Sequence, residues 1–325
     1  MSAAINENLI RDVVSEVLSR MQAGANGSAS SAPCAGGADG LFQTVDSAVA
    51  AAKVAQQHLV AASLETRGQA IQCIRDLVIG QAEEFGKIEY DETHIGRLDH
   101  KIEKLIVVGK RVPGLEMVTT ECVSGDHGLC VTEHAPFGVI GAITPVTHSV
   151  PTLACNAIMM IAGGNTLVVN PHPSGARSAA IFTQRAARLI REKTGLENLI
   201  CLIEKPTLET ADQIFKHRDI EMLCVTGGPG VVSAAMASHK KAVVAGPGNP
   251  PVVVDETANI DKAAAGIIFG AAYDNNLLCI GEKEVLVVES VADKLMDAMG
   301  RQGAYRLNSQ QVEALMKVAL HKDEK

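Results

Sequence analysis

Gly138-Val139-Ile140-Gly141-Ala142-Ile143-Thr144 carries no charge, is rich in aliphatic side chains, and is stopped by Pro145. A short apolar run without polar alternation reads as a strand covered on both faces, as in a parallel sheet. The chain then repeats the theme. Thr152 to Ile161 has a helical pattern closed by Gly163-Gly164, and Thr166 to Val169 is the next strand, leaving through Asn170-Pro171-His172-Pro173. Ser174 to Lys193 reads as helix, Leu199 to Ile203 as strand, and Leu208 to His217 as helix. Met222 to Thr226 is a strand that runs into Gly227-Gly228-Pro229-Gly230, followed by helix from Val231 to His239 and strand from Ala242 to Ala245. Such alternation predicts an α/β fold, a doubly wound parallel sheet with helices on both faces. Ligands of that architecture bind beyond the carboxyl ends of the strands.

Three strand ends carry turns worth singling out. Thr226-Gly227-Gly228-Pro229-Gly230 opens a helix, where free N–H groups and the helix dipole meet a phosphate well; glycine also serves plain turn geometry, and the turn is not GxGxxG. Pro171-His172-Pro173 is a rigid strand exit whose imidazole can stack on a base, pair with a phosphate or simply face solvent. Thr144-Pro145-Val146-Thr147-His148 brings two hydroxyls and an imidazole to the same rim. Further on, Val243-Val244-Ala245 leads through Gly246-Pro247-Gly248-Asn249-Pro250-Pro251 to Val252-Val253-Val254, and Asn259 or Asp261 can cap a helix over Lys262 to Tyr273. Leu277-Leu278-Cys279-Ile280-Gly281 then precedes a strand from Glu284 to Val288. A lone cysteine is more often a buried structural thiol, but Cys279 sits on a connection, where reactive groups concentrate.

Upstream, Leu41 to Gly80 is helical and Ala-rich with a break at Ser63-Leu64-Glu65-Thr66, and 81–118 is further helix. Residues 119–134 read as a β-hairpin around Ser124-Gly125-Asp126-His127-Gly128. Residues 1–21 form an amphipathic helix of their own, with Ile5, Leu9, Val13, Val17 and Met21 on one face. Residues 22–40 are mostly Gly, Ala, Ser and Asn, a flexible linker. A short apolar-faced helix on a tether is better built to dock into a partner's groove than to bury its face on a distant core, the alternative being a helix folded back onto its own domain. The remaining organisation is a nucleotide-binding part over 41–245 and the first portion of a second α/β domain over 246–325.

Composition narrows the function classes. A net charge of −8 with no long basic run argues against nucleic acid. No apolar run is long enough to predict a membrane-spanning helix. Hydrophobic residues make up 47% but aromatics only 3%, so aliphatic side chains must fill the core. The eight cysteines lie scattered without a CxxC pair, which reads as reduced thiols in a cytoplasmic chain that needs no metal. Cys122 and Cys130 flank the hairpin turn and can face each other there, although two unpaired thiols is the plainer reading.

Taken together, Pro136-Phe137-Gly138-Val139-Ile140-Gly141, Gly163-Gly164-Asn165-Thr166, Pro171-His172-Pro173, Thr226-Gly227-Gly228-Pro229-Gly230, Gly246-Pro247-Gly248-Asn249-Pro250-Pro251, Asp255-Glu256-Thr257-Ala258 and Asn276-Leu277-Leu278-Cys279 resemble the aldehyde dehydrogenase superfamily. The likeness is strongest to its CoA-acylating branch in bacterial microcompartments, the propionaldehyde and acetaldehyde dehydrogenases of propanediol and ethanolamine utilisation. The resemblance implies Cys279 as nucleophile, NAD as cofactor, coenzyme A as co-substrate and a short-chain aldehyde as substrate. It implies that residues 1–21 act as an encapsulation peptide toward a shell protein, placing the enzyme in the compartment lumen. It further implies that the hairpin at 119–134 is an oligomerisation arm of a homo-oligomer.

Departures from the hydrolytic relatives refine this. They place a general-base Glu just before the turn that precedes the cysteine, where Val244-Ala245-Gly246-Pro247-Gly248 has no carboxylate; a thioester without a base for water waits for a thiol. They supply an Asn side chain to the oxyanion where this chain has Thr147, the expected second donor beside the Cys279 N–H. Asn170 and Pro173 replace their ribose-binding Lys and Glu, so the NAD contacts must differ in detail, with His172 expected at the adenine or phosphate end; the expected cofactor-binding set is Thr144, Pro145, Pro171, His172, Thr226, Gly227, Gly228, Gly246 and Gly248. Family members run on well beyond the cysteine, whereas this chain stops after an amphipathic helix over Gln310 to Leu320. A competing expectation is therefore a non-catalytic cargo or assembly fragment with the docking helix and the nucleotide-binding half. A third, a semialdehyde-phosphate reductase, has no need of the docking helix.

Overall fold

The computed structural model describes residues 38–319. The amphipathic pattern of 1–21 and the linker as far as residue 37 lie outside the described residues. The chain order is β1 (Leu41–Phe42), α1 (Val45–Ala61), α2 (Leu64–Gly80), α3 (Ala82–Thr93), α4 (Leu98–Arg111), the hairpin β2 (Glu121–Gly125) and β3 (Gly128–Thr132), then β4 (Val139–Thr144), α5 (Ser149–Ala162), β5 (Thr166–Pro171), α6 (Ala176–Thr194), β6 (Ile200–Ile203), α7 (Leu208–Lys216), β7 (Met222–Thr226), α8 (Pro229–Ala237) and β8 (Lys241–Ala245). The last part holds β9 (Pro251–Val254), α9 (Ile260–Ala272), β10 (Glu284–Val287), α10 (Glu289–Arg301) and α11 (Ser309–Ala319).

Six strands form one parallel sheet in the order β1-β6-β5-β4-β7-β8. Side-chain alternation sends Val139, Ile143, Val168, Cys201, Leu223 and Val225 to the face packed by α1 and α7, where Val45, Ala48, Ile214 and Phe215 are buried. Ile140, Ala142, Leu167, Val169, Ile200 and Leu202 go to the other face, under Ile74, Leu153, Ile158, Phe182 and Ile190 of α2, α5 and α6. This is the period-two pattern of a strand covered twice, and it bears out the doubly wound expectation. Gly141 is required by packing: a Cβ there would lie 2.6 Å from Ile214 Cγ2. A second, two-stranded parallel sheet pairs β9 with β10 and packs Val254 against Ala264, Ile267, Leu295 and Ala298.

Local signals explain the boundaries. Ser63 Oγ accepts from the Thr66 N–H (3.1 Å) and starts α2 at the expected break, and Asn259 Oδ1 caps α9 through the Lys262 N–H (3.0 Å). Asn165, after Gly163-Gly164, accepts from the N–H groups of Phe137 (2.7 Å) and Gly138 (3.0 Å) and so fixes the entry to β4. Helix α3 contributes two carboxylates one turn apart. Glu92 accepts from the N–H groups of Arg177 and Ser178 at the head of α6 (both 2.8 Å), and Glu89 accepts from the Val150 N–H at the head of α5 (3.2 Å).

Several boundaries differ from expectation. Leu41–Phe42 is an edge strand on β6, not the start of a helix. Two residues are too few to show a period, and only the parallel pairing to Leu202 and Ile203 makes them a strand. Strand β5 runs on through Asn170 and Pro171, because Thr144 of β4 is Pro171's register partner. Helix α5 starts at Ser149, ahead of the expected Thr152, and α10 is an additional helix. In the hairpin, Cys122 stands opposite Val131 and Cys130 opposite Val123; by strand alternation the two thiols point to opposite faces and do not meet.

Candidate active site

The carboxyl ends of β4, β5, β7 and β8 and the loop ahead of β10 enclose one cleft of about 370 Å³. Its lining includes Pro145 and Thr147 after β4, His172 after β5, Thr226, Gly227 and Gly228 after β7, Gly246 and Gly248 after β8, and Cys279. The structure thus gathers most of the sequence-selected residues on one surface. Thr144 and Pro171 stand behind it, buried as register partners at the ends of β4 and β5; the Thr144 hydroxyl has no hydrogen-bond partner among the described residues. Asn170 is turned away and committed elsewhere: its Oδ1 accepts from Thr210 Oγ1 (2.6 Å) and its Nδ2 donates to Thr207 O (3.3 Å). His172 Nδ1 accepts from the Ser174 N–H (3.1 Å), which leaves Nε2 as the nitrogen that can donate.

Cys279 is half-buried on a loop fixed from both ends. Before it, Asp274, Asn275 and Asn276 all have left-handed backbones (φ 49°, 57° and 59°), a conformation Asp and Asn tolerate. The Asn276 amide donates to Ala271 O (2.6 Å) and Glu282 O (3.1 Å) and closes the loop on itself. After it, Lys283 Nζ donates to Leu278 O (2.9 Å) and Gly281 O (3.1 Å). Across the cleft, Gly248 presses on the cysteine's own carbonyl: a Cβ there would lie 2.2 Å from Cys279 O. That close approach gives the glycine of the β8 exit turn a physical reason.

Four other cysteines among the described residues contrast with it. Cys201 is buried in β6 with its Sγ toward Asn198 O, and burial pushes its thiol up. Burial also raises Cys73, Cys155 and Cys224. None of these four lines the cleft, whereas Cys279 does. Among the described residues the lining holds one lysine, one histidine and no carboxylate. Gly228, which ends the turn into α8, has open space where a Cβ would stand. Unhindered backbone at a helix start, next to a basic side chain, fits the phosphates of a dinucleotide.

Residues 29–311 match the aldehyde dehydrogenase family. The chain belongs to that family. Over 322 residues it is 39% identical to the acetylating acetaldehyde dehydrogenase of Bilophila wadsworthia, an alignment covering 97% of this chain and 66% of that protein. The propionaldehyde dehydrogenase of Rhodopseudomonas palustris, solved with bound CoA and an acylated cysteine, superposes with a TM-score of 0.82 at 40% identity over 88% of this chain and 66% of that one. The propionaldehyde dehydrogenase of the Clostridium phytofermentans fucose-utilisation microcompartment superposes with a TM-score of 0.81 at 43% identity, covering 86% of this chain and 64% of that one. The chain therefore spans about two thirds of the length of the relatives it matches.

Two features of this aldehyde dehydrogenase cleft escaped the sequence reading. Lys283 is the lining lysine; its position four residues past the cysteine was the available signal. His148 was expected at the rim, yet its ring turns inward, with Nδ1 3.1 Å from Lys104 Nζ. Burial and the Lys104 charge pull its pKa down to about 3, so the imidazole is neutral near pH 7.

Proposed function

We propose that this chain carries the active site of a CoA-acylating aldehyde dehydrogenase, which converts a short aldehyde such as propionaldehyde or acetaldehyde, with NAD and CoA, into acyl-CoA and NADH. The observation that carries the reading is Cys279 facing a strand-exit cleft without a carboxylate in its lining. The Cys279 thiolate adds to the aldehyde carbon, forming a C–S bond and placing negative charge on oxygen. The Cys279 N–H and the Thr147 hydroxyl are the proposed donors to that oxygen. As the carbonyl re-forms, the C–H bond breaks and its electron pair leaves as hydride, leaving a thioester on Cys279. NAD, when bound, is the hydride acceptor. The proposed binding set is Pro145, His172, Thr226, Gly227, Gly228, Gly246 and Gly248, with the Gly227–Gly228 turn under the phosphates, while Thr144 and Pro171, expected in that set, stand behind the lining and support it from the strand ends. With no carboxylate in the lining to serve as general base for water, the thioester persists until the CoA thiolate attacks it, breaking the C–S bond to Cys279 and releasing acyl-CoA.

By the same reading, residues 1–21 dock onto a microcompartment shell protein and place the enzyme in the lumen. The hairpin β2–β3, exposed along its whole length, is the proposed contact between copies. The chemistry is tested by incubating the chain with propionaldehyde and NAD without CoA and mapping peptides by mass. The expected product is a propionyl group on the Cys279 peptide that disappears when CoA is added. Acylation at another residue, or an adduct that CoA leaves in place, contradicts the assignment.

A further inference from the structure

We propose that Lys104 is a positioning residue for the Cys279 loop, tying the turn ahead of the cysteine to the exit of β4 through Asp274 and His148. The proposal rests on reading Cys279 as the nucleophile. Lys104 lies on α4, behind the cleft, with its side chain 11% exposed. Its Nζ is 2.5 Å from Asp274 Oδ2 and 3.1 Å from His148 Nδ1. The two partners belong to different edges of the site. His148 directly follows Thr147, which lines the cleft; Asp274 opens the left-handed turn that ends at Cys279's own segment.

Asp274 is held on every side. Its Oδ1 accepts from the Arg97 N–H (2.8 Å), and its own N–H donates to His100 Nδ1 (2.8 Å). Gly96 has a left-handed backbone (φ 80°) and sits so close that a Cβ would lie 2.4 Å from Asp274 Oδ1. Asn275 Nδ2 donates to Gly96 O (3.1 Å). Burial acts against the Asp274 carboxylate, but the bonds from Lys104 and the Arg97 N–H hold it below the usual range. The start of α4 is thus a rigid seat for the turn, and Lys104, two helical turns along, extends that seat to the β4 exit. His148 must accept at Nδ1 to take part, so its ring is the neutral form with the proton on Nε2. The neighbouring pair Glu89–Lys101 is neutralised within itself at 2.8 Å. Lys104 is therefore left to link Asp274 with His148, two groups on segments that carry cleft residues.

The test is the second-order rate of Cys279 alkylation by iodoacetamide on the full chain, resolved by peptide, which needs no aldehyde turnover. Lys104→Met and Asp274→Asn are each expected to free the half-buried loop and raise the rate about tenfold, and the double variant to go no further than the stronger single one. His148→Asn, which keeps an acceptor near the place of Nδ1, is expected to stay close to the parent rate, whereas His148→Ala follows Lys104→Met. The fully buried Cys201 reports on the fold and is expected to stay unlabelled in each variant. The proposal is overturned if the Cys279 rate does not change, if the two singles add, if Asn fails to rescue position 148, or if Cys201 becomes labelled in step with Cys279. Turnover that survives Cys279→Ala would sink the nucleophile reading while leaving these rates as they are.

Discussion

Cys279→Ala is expected to abolish CoA-dependent turnover, by at least about ten-thousand-fold, because no other group in the lining can take over covalent transfer. The loss should come without unfolding. Cys279 belongs to none of the three buried hydrophobic clusters, so stability should change by less than about 1 kcal/mol. NAD binding, followed by fluorescence titration, should be retained, since the strand exits assigned to it do not depend on the thiol. A variant that loses NAD binding together with turnover would instead mark Cys279 as a structural residue of the loop.

Glu89→Ala is expected to produce the largest loss of stability. Glu89 and Lys101 are each 1% exposed and meet at 2.8 Å. A buried pair of this kind adds little over a well-packed apolar pair, but removing one partner strands the other charge away from water, at about 3–5 kcal/mol. The same substitution removes the acceptor for the Val150 N–H, at the head of the helix that follows the Thr147 turn. Urea unfolding of the variant should show the loss as a lowered midpoint. The double variant Glu89→Leu/Lys101→Met should recover most of it, since no unpaired charge then remains. A double variant as unstable as Glu89→Ala would contradict the desolvation argument.

How much the sequence disclosed depended on the range of the interaction. Strand ends were readable because Pro145, Pro171, Gly227-Gly228 and Gly246-Pro247-Gly248 punctuate apolar runs at places where only a few backbone conformations are open. A parallel sheet then dictates that such exits share one edge, and the cleft followed. The charged network behind it left no comparable trace. Lys101 and Lys104 lie on a helix whose amphipathic pattern suggests solvated lysines, yet one is buried against Glu89 and the other meets Asp274, 170 residues further along. Pairings over that distance have no local period. His148 was misjudged for the same reason: a turn histidine next to a rim reads as a rim residue until the lysine that draws it inward is known. Asn170 and Pro171 entered the strand because Thr144 of β4 and Thr210 of α7 claimed them, which is again tertiary context overriding a turn signal.

Among the described residues no carboxylate lines the cleft, so the identity of the acyl acceptor separates a CoA-acylating site from a hydrolytic one. The most direct test follows NADH absorbance from propionaldehyde and NAD, with and without CoA, on the 325-residue chain. Sustained NADH formation is expected only when CoA is present, with no more than one equivalent per Cys279 formed in its absence. Sustained turnover without CoA would mean that water accepts the acyl group, and would contradict it.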